Sequence, residues 1–401
     1  MSFEGIHKKI LARHATSRKE RNLDGIKAAL FALGNPQESF KTVHVAGTNG
    51  KGSTSVMTAN ILAAAGYKTG LFTSPHLLSP RERIQINGKN ISAREFENCI
   101  KKVLRAEPAQ FNYFEIVTAA AFLYFKKNKV DFAVIEAGIG GLLDATNVIT
   151  PSVSIITSIG YDHKDILGNT LAKITAQKAG IIKPGVPCVC GVLPKTAQEV
   201  VKKTARAAKA PLYFAAKPQN IRFLQNKNLM RFKIGNEKYE SGICGAKQPI
   251  NAAVCAQAAS LLNIRSAVVK KGLKTARIHA RFEIVKTPKT TLIIDGAHNP
   301  AAVQSVVENI NLTNYNPAVI FAAMRDKDYT KMLQILRARF KKIIFAKLDN
   351  PRAAVFPNAR PAEELIKQAL SGAFGKAVLV TGSFYLAGET EKIIKHPVKH
   401  K

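Results

Sequence analysis

A lysine between two glycines, Gly50-Lys51-Gly52, lies in the stretch KTVHVAGTNGKGSTSVM at residues 41–57. Glycines in such a stretch let backbone N–H groups converge on an anion. A helix that starts there adds roughly half a positive charge, and the lysine adds a full one, which is chemistry for holding phosphates. The spacing departs from G-x-x-x-x-G-K-[ST]: Val45 stands where the first glycine belongs, and the hydroxyl arrives one residue late, at Ser53. In the ordinary loop the residue after the lysine holds Mg2+. A metal at this loop therefore needs oxygen ligands from elsewhere. The candidates close apolar runs: Ser74 after LFT, Glu136 at the end of FAVIE, and Asp162-His163 in IGYDH. Singly, each also reads as a turn residue or a structural side chain. Several polar strand ends beside one phosphate loop point to a site.

Those residues need a framework that delivers strand ends to one place. TVHVA reads as a short β-branched strand that feeds the loop, and TSVMTANILAAAGY has helical apolar spacing. KTGLFTS, VDFAVIEAG and PSVSIITSIG are apolar runs suited to a parallel sheet covered on both faces. Helices are expected over SAREFENCIKKVLRA, where Ser92 and Glu95 have capping-box spacing, over EIVTAAAFLYFKKNK, and over TLAKITAQKAGII. Between about 212 and 242, from LYFAAK onward, short alternating runs around NKN and GN predict antiparallel hairpins. A helix resumes at QPINAAVCAQAASLLN. A second α/β series begins near 281 with RFEIV and TTLIIDGAHNP around a turn-like KTPKT, then PAVIFAAM, KKIIFAKL and KAVLVTGS. The boundary is expected at 275–282, giving domains 1–278 and 279–401.

The chain has 401 residues and a net charge of +33 from 60 basic and 27 acidic residues. That charge raises a nucleic-acid reading. The basic residues are spread along the chain, in clusters such as VKKTARAAKA and RARFKK that suit solvated helix faces. The charge supports a general attraction of anions, without an obligate nucleic-acid partner. Five cysteines, with Cys188 and Cys190 in a C-x-C within an apolar run, read as buried free thiols in a reducing compartment. The opening residues MSFEGIHKKILARHATSRKE lack an apolar signal core, and no apolar run has the length of a membrane span. A cytoplasmic protein without membrane association is expected, with a frayed tail, KHPVKHK.

Taken together, AGTNGKGS, FTSPHL, ERIQINGK, YFE, EAGIGGLLDATN, GYDHKDILG, QKAGIIKPG and DGAHNP resemble the folylpolyglutamate synthase/dihydrofolate synthase branch of the Mur ligase family, and LGNPQ, RDKD and TGSFYLAGE fit it too. The resemblance runs from about residue 21 to 391, and the family's own loop has the GTNGKG[ST] form. It implies an α/β architecture: a P-loop-type ATPase domain with a mostly parallel sheet and a small antiparallel subregion, then a smaller Rossmann-like domain. It implies a monomer that uses ATP and Mg2+ at two sites to add L-glutamate to dihydropteroate, to folates, or to both. The acceptor carboxylate takes the γ-phosphate, and the amine of glutamate attacks the acyl phosphate.

Residue roles follow from the same resemblance. Thr48, Asn49, Gly50, Lys51, Gly52 and Ser53 would hold the ATP phosphates. Ser74 and Glu136 would serve one metal, and Glu136 and His163 the other, with Lys178 carried as a carbamate. Asn251 would approach the adenine, Asp295 and His298 would belong to the nucleotide site, and Arg281 would reach the phosphates on domain closure. Asp144 would face the pterin, although it and Asn251 also read as cap or turn residues. Three departures stand out: Leu142 for the family's arginine, Gln177 for its glutamate, and HARFE for PGRFE. The competing readings are an enzyme restricted to one of the two acceptors, a basic nucleic-acid-binding ATPase, and a non-catalytic nucleotide-binding module. The last leaves Glu136, His163 and Lys178 without a joint purpose.

Overall fold

In the computed structural model, residues 22–106 and 111–395 are described, together with Gly5, His7, Ile10 and Leu11. The expectations for the opening segment and for the tail KHPVKHK lie largely outside these residues. The chain divides into two compact units: Met1–Pro218 with Ile250–Ala276, and Gln219–Pro249 with Arg277–Lys401.

The first unit is built on eight strands: β1 (Lys41–Ala46), β2 (Thr69–Phe72), β3 (Ile84–Ile86), β4 (Lys89–Asn90), β5 (Phe132–Glu136), β6 (Val153–Ile156), β7 (Cys188–Cys190) and β8 (Leu212–Phe214). Their order is β4-β3-β2-β5-β1-β6-β7-β8. Pairing is parallel from β2 across to β8 and antiparallel only at the β2–β3–β4 edge. The apolar runs are continuous because both faces are covered. One face packs Phe72, Phe96, Phe122, Phe125 and Ile135. The other packs Val43, Val45, Leu62, Val134, Ile155 and Val254. Each such fully buried side chain stabilises the fold by about 1.5–3 kcal/mol. Ser92 caps its helix through the Glu95 N–H at 3.1 Å, while the Glu95 carboxylate pairs with Lys127 at 2.8 Å. The five cysteines are buried and free. Among the described residues no helix is long and apolar enough to cross a membrane.

LYFAAK departs from the hairpin expectation. Leu212–Phe214 is a parallel edge strand beside β7. A three-residue run has too little pattern to reveal which neighbour it pairs with. The antiparallel part is confined to β9 (Gln219–Leu224), β10 (Leu229–Ile234) and β11 (Glu237–Ser241), in the order β11-β10-β9. By contacts this small sheet groups with the carboxyl unit, whereas the expected contiguous division kept it with residues 1–278. The ties are specific. The Ala246 N–H donates to Asn309 Oδ1, and the Phe223 and Phe282 rings meet at 6.5 Å.

The second unit's larger sheet comprises β12 (Glu283–Lys286), β13 (Thr291–Asp295), β14 (Ala318–Phe321), β15 (Ile343–Lys347), β16 (Arg360–Pro361) and β17 (Ala377–Thr381). Their order is β12-β13-β17-β14-β15-β16, parallel except for the β12–β13 hairpin. A mostly parallel α/β domain followed by a second α/β unit is therefore what the periodicities predicted; that the second sheet is mixed is set by the β12–β13 pairing.

The departure HARFE has a visible consequence. His279 Nδ1 lies 3.0 Å from Glu283 and 3.6 Å from Glu391, whose other neighbour is Lys395 at 3.1 Å. The hydrogen bonds to Glu283 and Glu391 push the His279 pKa up to about 10 from 6.5. Burial works to raise the Glu391 pKa, but its bonds to His279, Glu283 and Lys395 together outweigh burial and hold it at about 2. A raised histidine stabilises fully below 6.5 and loses that contribution as pH climbs through about 10. The lowered carboxylate stabilises above 4.5 and loses its share as pH falls through about 2. His279→Ala should thus lower the melting temperature by about 1–3 °C near pH 6, a modest size because the His279 side of the pair is exposed. The deficit should vanish above about pH 10. Thermal melts of the full chain across that range measure it, and a deficit independent of pH refutes the ion-pair account.

Candidate functional site

The crossover after β1 runs to one side of the sheet, to β2, and the one after β5 runs to the other, to β6. This reversal places a crevice at the carboxyl ends of β1, β5 and β6, where open α/β sheets bind ligands. The loop Gly47–Gly50 leaves β1 there and enters the helix Lys51–Ala64. Two of its glycines are required. Gly50 has φ +85°, and a Cβ there would sit 2.7 Å from Asn251 Oδ1. A Cβ on Gly47 would fall 2.0 Å from Thr157 Oγ1.

The loop is held by the segment after β6. Thr48 N–H donates to Ser158 O at 2.8 Å, and Asn49 N–H to Ser158 Oγ at 3.0 Å. Thr157 Oγ1 and Ser158 Oγ both donate to Asn49 O, at 2.7 and 2.9 Å. Thr48 Oγ1 donates to Gly160 O and accepts from Gly160 N–H, so TSIG acts as the loop's outer brace. Sequence reasoning missed Thr157 and Ser158. Their only signal was two hydroxyls closing an apolar strand.

Two lysine amines converge on one carbonyl. Lys51 Nζ donates to Gly47 O at 3.2 Å and to Thr48 O at 3.4 Å, and Lys178 Nζ donates to Gly47 O at 2.8 Å. Lys178 lies in the last turn of the helix Leu171–Ala179 and is 2% exposed. Burial, with the Lys51 charge beside it, pulls its pKa down to about 7 from 10.5, against the opposing pull of Asp162 and Asp144. A buried lysine lowered this far carries a substantial share of neutral amine near neutral pH.

Glu136 ends β5 and is 3% exposed, and its Oε2 accepts the Ser74 N–H at 3.0 Å. A buried carboxylate at a strand end, tied to the backbone of a serine, offers oxygen donors of the kind a hard cation takes. Arg83, buried over the Tyr113 ring at 5.3 Å, lies in the field of Glu136 and was not read from the sequence. His163 follows β6 with φ +47°, its N–H on Asp162 Oδ1 at 3.0 Å and its Nε2 3.8 Å from Asp162 Oδ2. Ser53 is buried in the first turn of its helix. Asn251, on the helix Gln248–Leu261, lies against Gly50.

Asp144 is buried and its carboxylate is fully engaged. It accepts from Gly138 N–H and Ile139 N–H at 3.0 Å each, from Thr146 N–H at 3.1 Å and from the Thr146 hydroxyl at 2.6 Å. Burial raises its pKa and these bonds oppose the rise. Leu142 leaves its side chain 44% exposed while its N–H donates to Gln177 O at 2.7 Å. The departures at 142 and 177 thus meet through backbone atoms.

In the second unit, Asp295 ends β13 and accepts from Phe282 N–H at 2.8 Å and Ala297 N–H at 2.9 Å. Burial pushes its pKa up to about 6, against the Arg281 charge. The Arg281 guanidinium lies 4.8 Å from the Phe384 ring, which also packs on His298 at 5.2 Å. His298 Nδ1 donates to Gly296 O at 3.0 Å. Arg281 is flanked by Ala280 and Phe282 at φ +54° and +48°, a conformation costly for side-chain-bearing residues. Ala280 therefore takes a glycine-like conformation where the family motif has glycine.

Residues 45–259 match the model of the Mur ligase middle domain, and residues 280–384 that of the Mur ligase, glutamate ligase domain. A phosphate-loop α/β domain followed by a glutamate ligase domain defines an ATP-dependent ligase that forms amide bonds. The chain belongs to the Mur ligase family, in the branch whose motifs its sequence resembles. It is 35% identical to the dihydrofolate synthase/folylpolyglutamate synthase of Bacillus subtilis, covering 93% of this chain and 95% of that one. The solved apo form of L. casei FPGS superposes with a TM-score of 0.87 at 29% identity, covering 98% of this chain and all of that one. E. coli FolC, solved in complex with DHPP and ADP, has a TM-score of 0.87 at 25% identity, covering 99% and 98%.

Proposed function

We propose that the protein joins L-glutamate to dihydropteroate, to folate glutamates, or to both, at the expense of ATP. The observation that carries this is the convergence of Lys51 and Lys178 on Gly47 O, in a chain that matches a synthase of this kind over 93% of its length. A carboxylate is a poor electrophile. Its oxygen attacks the γ-phosphorus and ADP leaves; the glutamate amine then attacks the acyl carbon, the amide N–C bond forms as inorganic phosphate leaves, and the nitrogen sheds a proton. Such chemistry depends on positioning and charge neutralisation.

The backbone N–H groups from Gly50 to Ser53 bind the phosphates, those of Thr48 and Asn49 being engaged by Ser158 instead, and Lys51 swings from its carbonyl contacts to neutralise them. Ser74, Glu136, His163 and a carbamylated Lys178 would hold Mg2+, which supplies Lewis-acid stabilisation of the transferring phosphoryl group. Asn251 serves the adenine side, Asp295 and His298 serve the nucleotide, and Asp144 shapes the acceptor side through its loop. As functional pieces we retain 1–278 for nucleotide binding and 279–401 for ligation. We place the enzyme in the cytoplasm as a monomer; five free buried thiols suit a reducing compartment.

ADP release with dihydropteroate, with tetrahydrofolate, and with neither tests the reading. Turnover requires L-glutamate and at least one acceptor, and the two acceptor arms separate a bifunctional from a monofunctional enzyme. Rapid turnover with DNA or RNA and no pterin compound overturns it. Arg281→Ala should lower kcat by about 10²-fold or more, as loss of a transition-state cation does. ATP affinity should change far less. Steady-state kinetics beside direct ATP binding measure the split, and an equal loss in both removes Arg281 from the chemistry.

A further inference from the structure

His44 lies in the middle of β1, three residues before the phosphate loop, and its side chain is fully buried. Its neighbours in register are Ile135 of β5 and Ser154 of β6. An apolar residue would satisfy that packing. The imidazole is there with one bond: Nε2 lies 2.9 Å from Thr146 Oγ1, and among the described residues the buried Nδ1 has no partner. Buried polar atoms are rarely left so, and an orphan calls for an explanation.

The bond has a fixed direction. Thr146 Oγ1 gives its proton to Asp144 Oδ1 at 2.6 Å, because an ionised carboxylate only accepts. The hydroxyl oxygen must then accept from His44, so the imidazole carries its proton on Nε2 and leaves a lone pair on Nδ1. Burial, with Lys183 nearby, holds the His44 pKa down at about 3, so the ring stays neutral. The chain continues from Asp144 to the N–H groups of Gly138 and Ile139, two and three residues after Glu136. The loop's other anchors run toward the end of the helix that carries Lys178. Leu142 N–H donates to Gln177 O, and Asn147 Nδ2 donates to Gly180 O at 3.1 Å. Lys183 Nζ adds a bond to Asn147 O at 3.2 Å. His44 supplies an anchor of a different kind, to the strand that ends in the phosphate loop.

We propose that His44 is a positioning residue for the acceptor: its Nε2–H sets Thr146 and Asp144, and so fixes the 137–147 loop relative to the phosphate loop. This rests on the reading above in which Asp144 shapes the acceptor side. The buried imidazole is retained for its donor, at the cost of the orphaned Nδ1. Its effect falls on the acceptor and not on ATP, because the phosphate loop has its own brace in Thr157, Ser158 and Gly160.

The test is steady-state kinetics on full-length variants, with whichever acceptor the wild-type enzyme uses. His44→Leu raises the acceptor KM by about tenfold or more and leaves the ATP KM within about twofold, the signature of lost acceptor binding. His44→Gln, whose amide N–H reaches about as far as Nε2, restores the acceptor KM to within about threefold of wild type. Thr146→Val, a near-isosteric loss of the hydroxyl, reproduces His44→Leu, and the double variant adds nothing beyond either single change. If His44→Leu fails to fold, Thr146→Val carries the kinetic arm. Nitrogen-15 NMR of the imidazole gives a readout independent of turnover: a neutral ring, protonated on Nε2, unchanged between about pH 5 and 8. Overturning results are an unchanged acceptor KM with only a lowered melting temperature, an equal rise in both KM values, or a proton found on Nδ1. A wild-type enzyme without acceptor-dependent ADP release refutes the functional reading instead, while the NMR result still decides the bond.

Discussion

Glu136→Ala should lower kcat by about 10³-fold while the folded state persists, and Lys51→Ala should do the same. The expected size follows from removing a preorganised charged group from a phosphoryl-transfer site, where single groups account for about 10²–10³. Glu136 is buried at the end of β5 and oriented by the Ser74 N–H, so it is held before any ligand arrives. Its loss would remove an oxygen donor from the proposed hard-cation site and would leave the Ser74 amide without that partner. The discriminating measurement is kcat against Mg2+ concentration, with circular dichroism as the fold control. For Glu136→Ala, activity should respond to high Mg2+. For Lys51→Ala it should not, because the lost charge is the protein's own. Either variant retaining near-normal turnover at limiting Mg2+ removes that residue from the site.

Lys178→Ala should lose most activity, and a short carboxylate such as acetate should restore part of it. The unmodified amine lies 2.8 Å from Gly47 O with the Lys51 charge nearby, a poor place for a permanent cation beside Mg2+. Its pKa of about 7 leaves a large neutral fraction, and the neutral amine is the form that adds CO2, forming the carbamate N–C bond with release of one proton. The product has two oxygens and a negative charge, suited to a hard cation. Gln177, in place of an acid, removes one nearby negative charge that would oppose forming another. Raising the pH through 7 empties the ammonium, so bicarbonate should activate more at pH 8 than at pH 6. Mass spectrometry under native conditions detects the added group. Crystals grown with bicarbonate, Mg2+ and nucleotide that hold a bare lysine contradict the assignment, as does a Lys178→Ala enzyme indifferent to acetate.

The phosphate loop was legible in residues 41–57 because everything it needs is local: a β-branched strand, glycines at tight φ, and a helix start. The parallel α/β character was legible for the same reason, in unbroken apolar runs such as FAVIE, whose strand is buried throughout. Strand order was not written locally. It decided that Lys178 and Gly47, 131 residues apart, share a hydrogen bond, and that TSIG braces the loop. The same limit hid His44, which in TVHVA reads as one inward residue of a strand until Thr146 is brought against it. It also concealed the allegiance of Gln219–Pro249, since a hairpin's turns fix its own pairing but not the surface it joins. Turn and strand chemistry is therefore a property of neighbours in sequence. A buried charge or an orphaned ring nitrogen depends on which distant segments fold against it, and only the tertiary structure decides that.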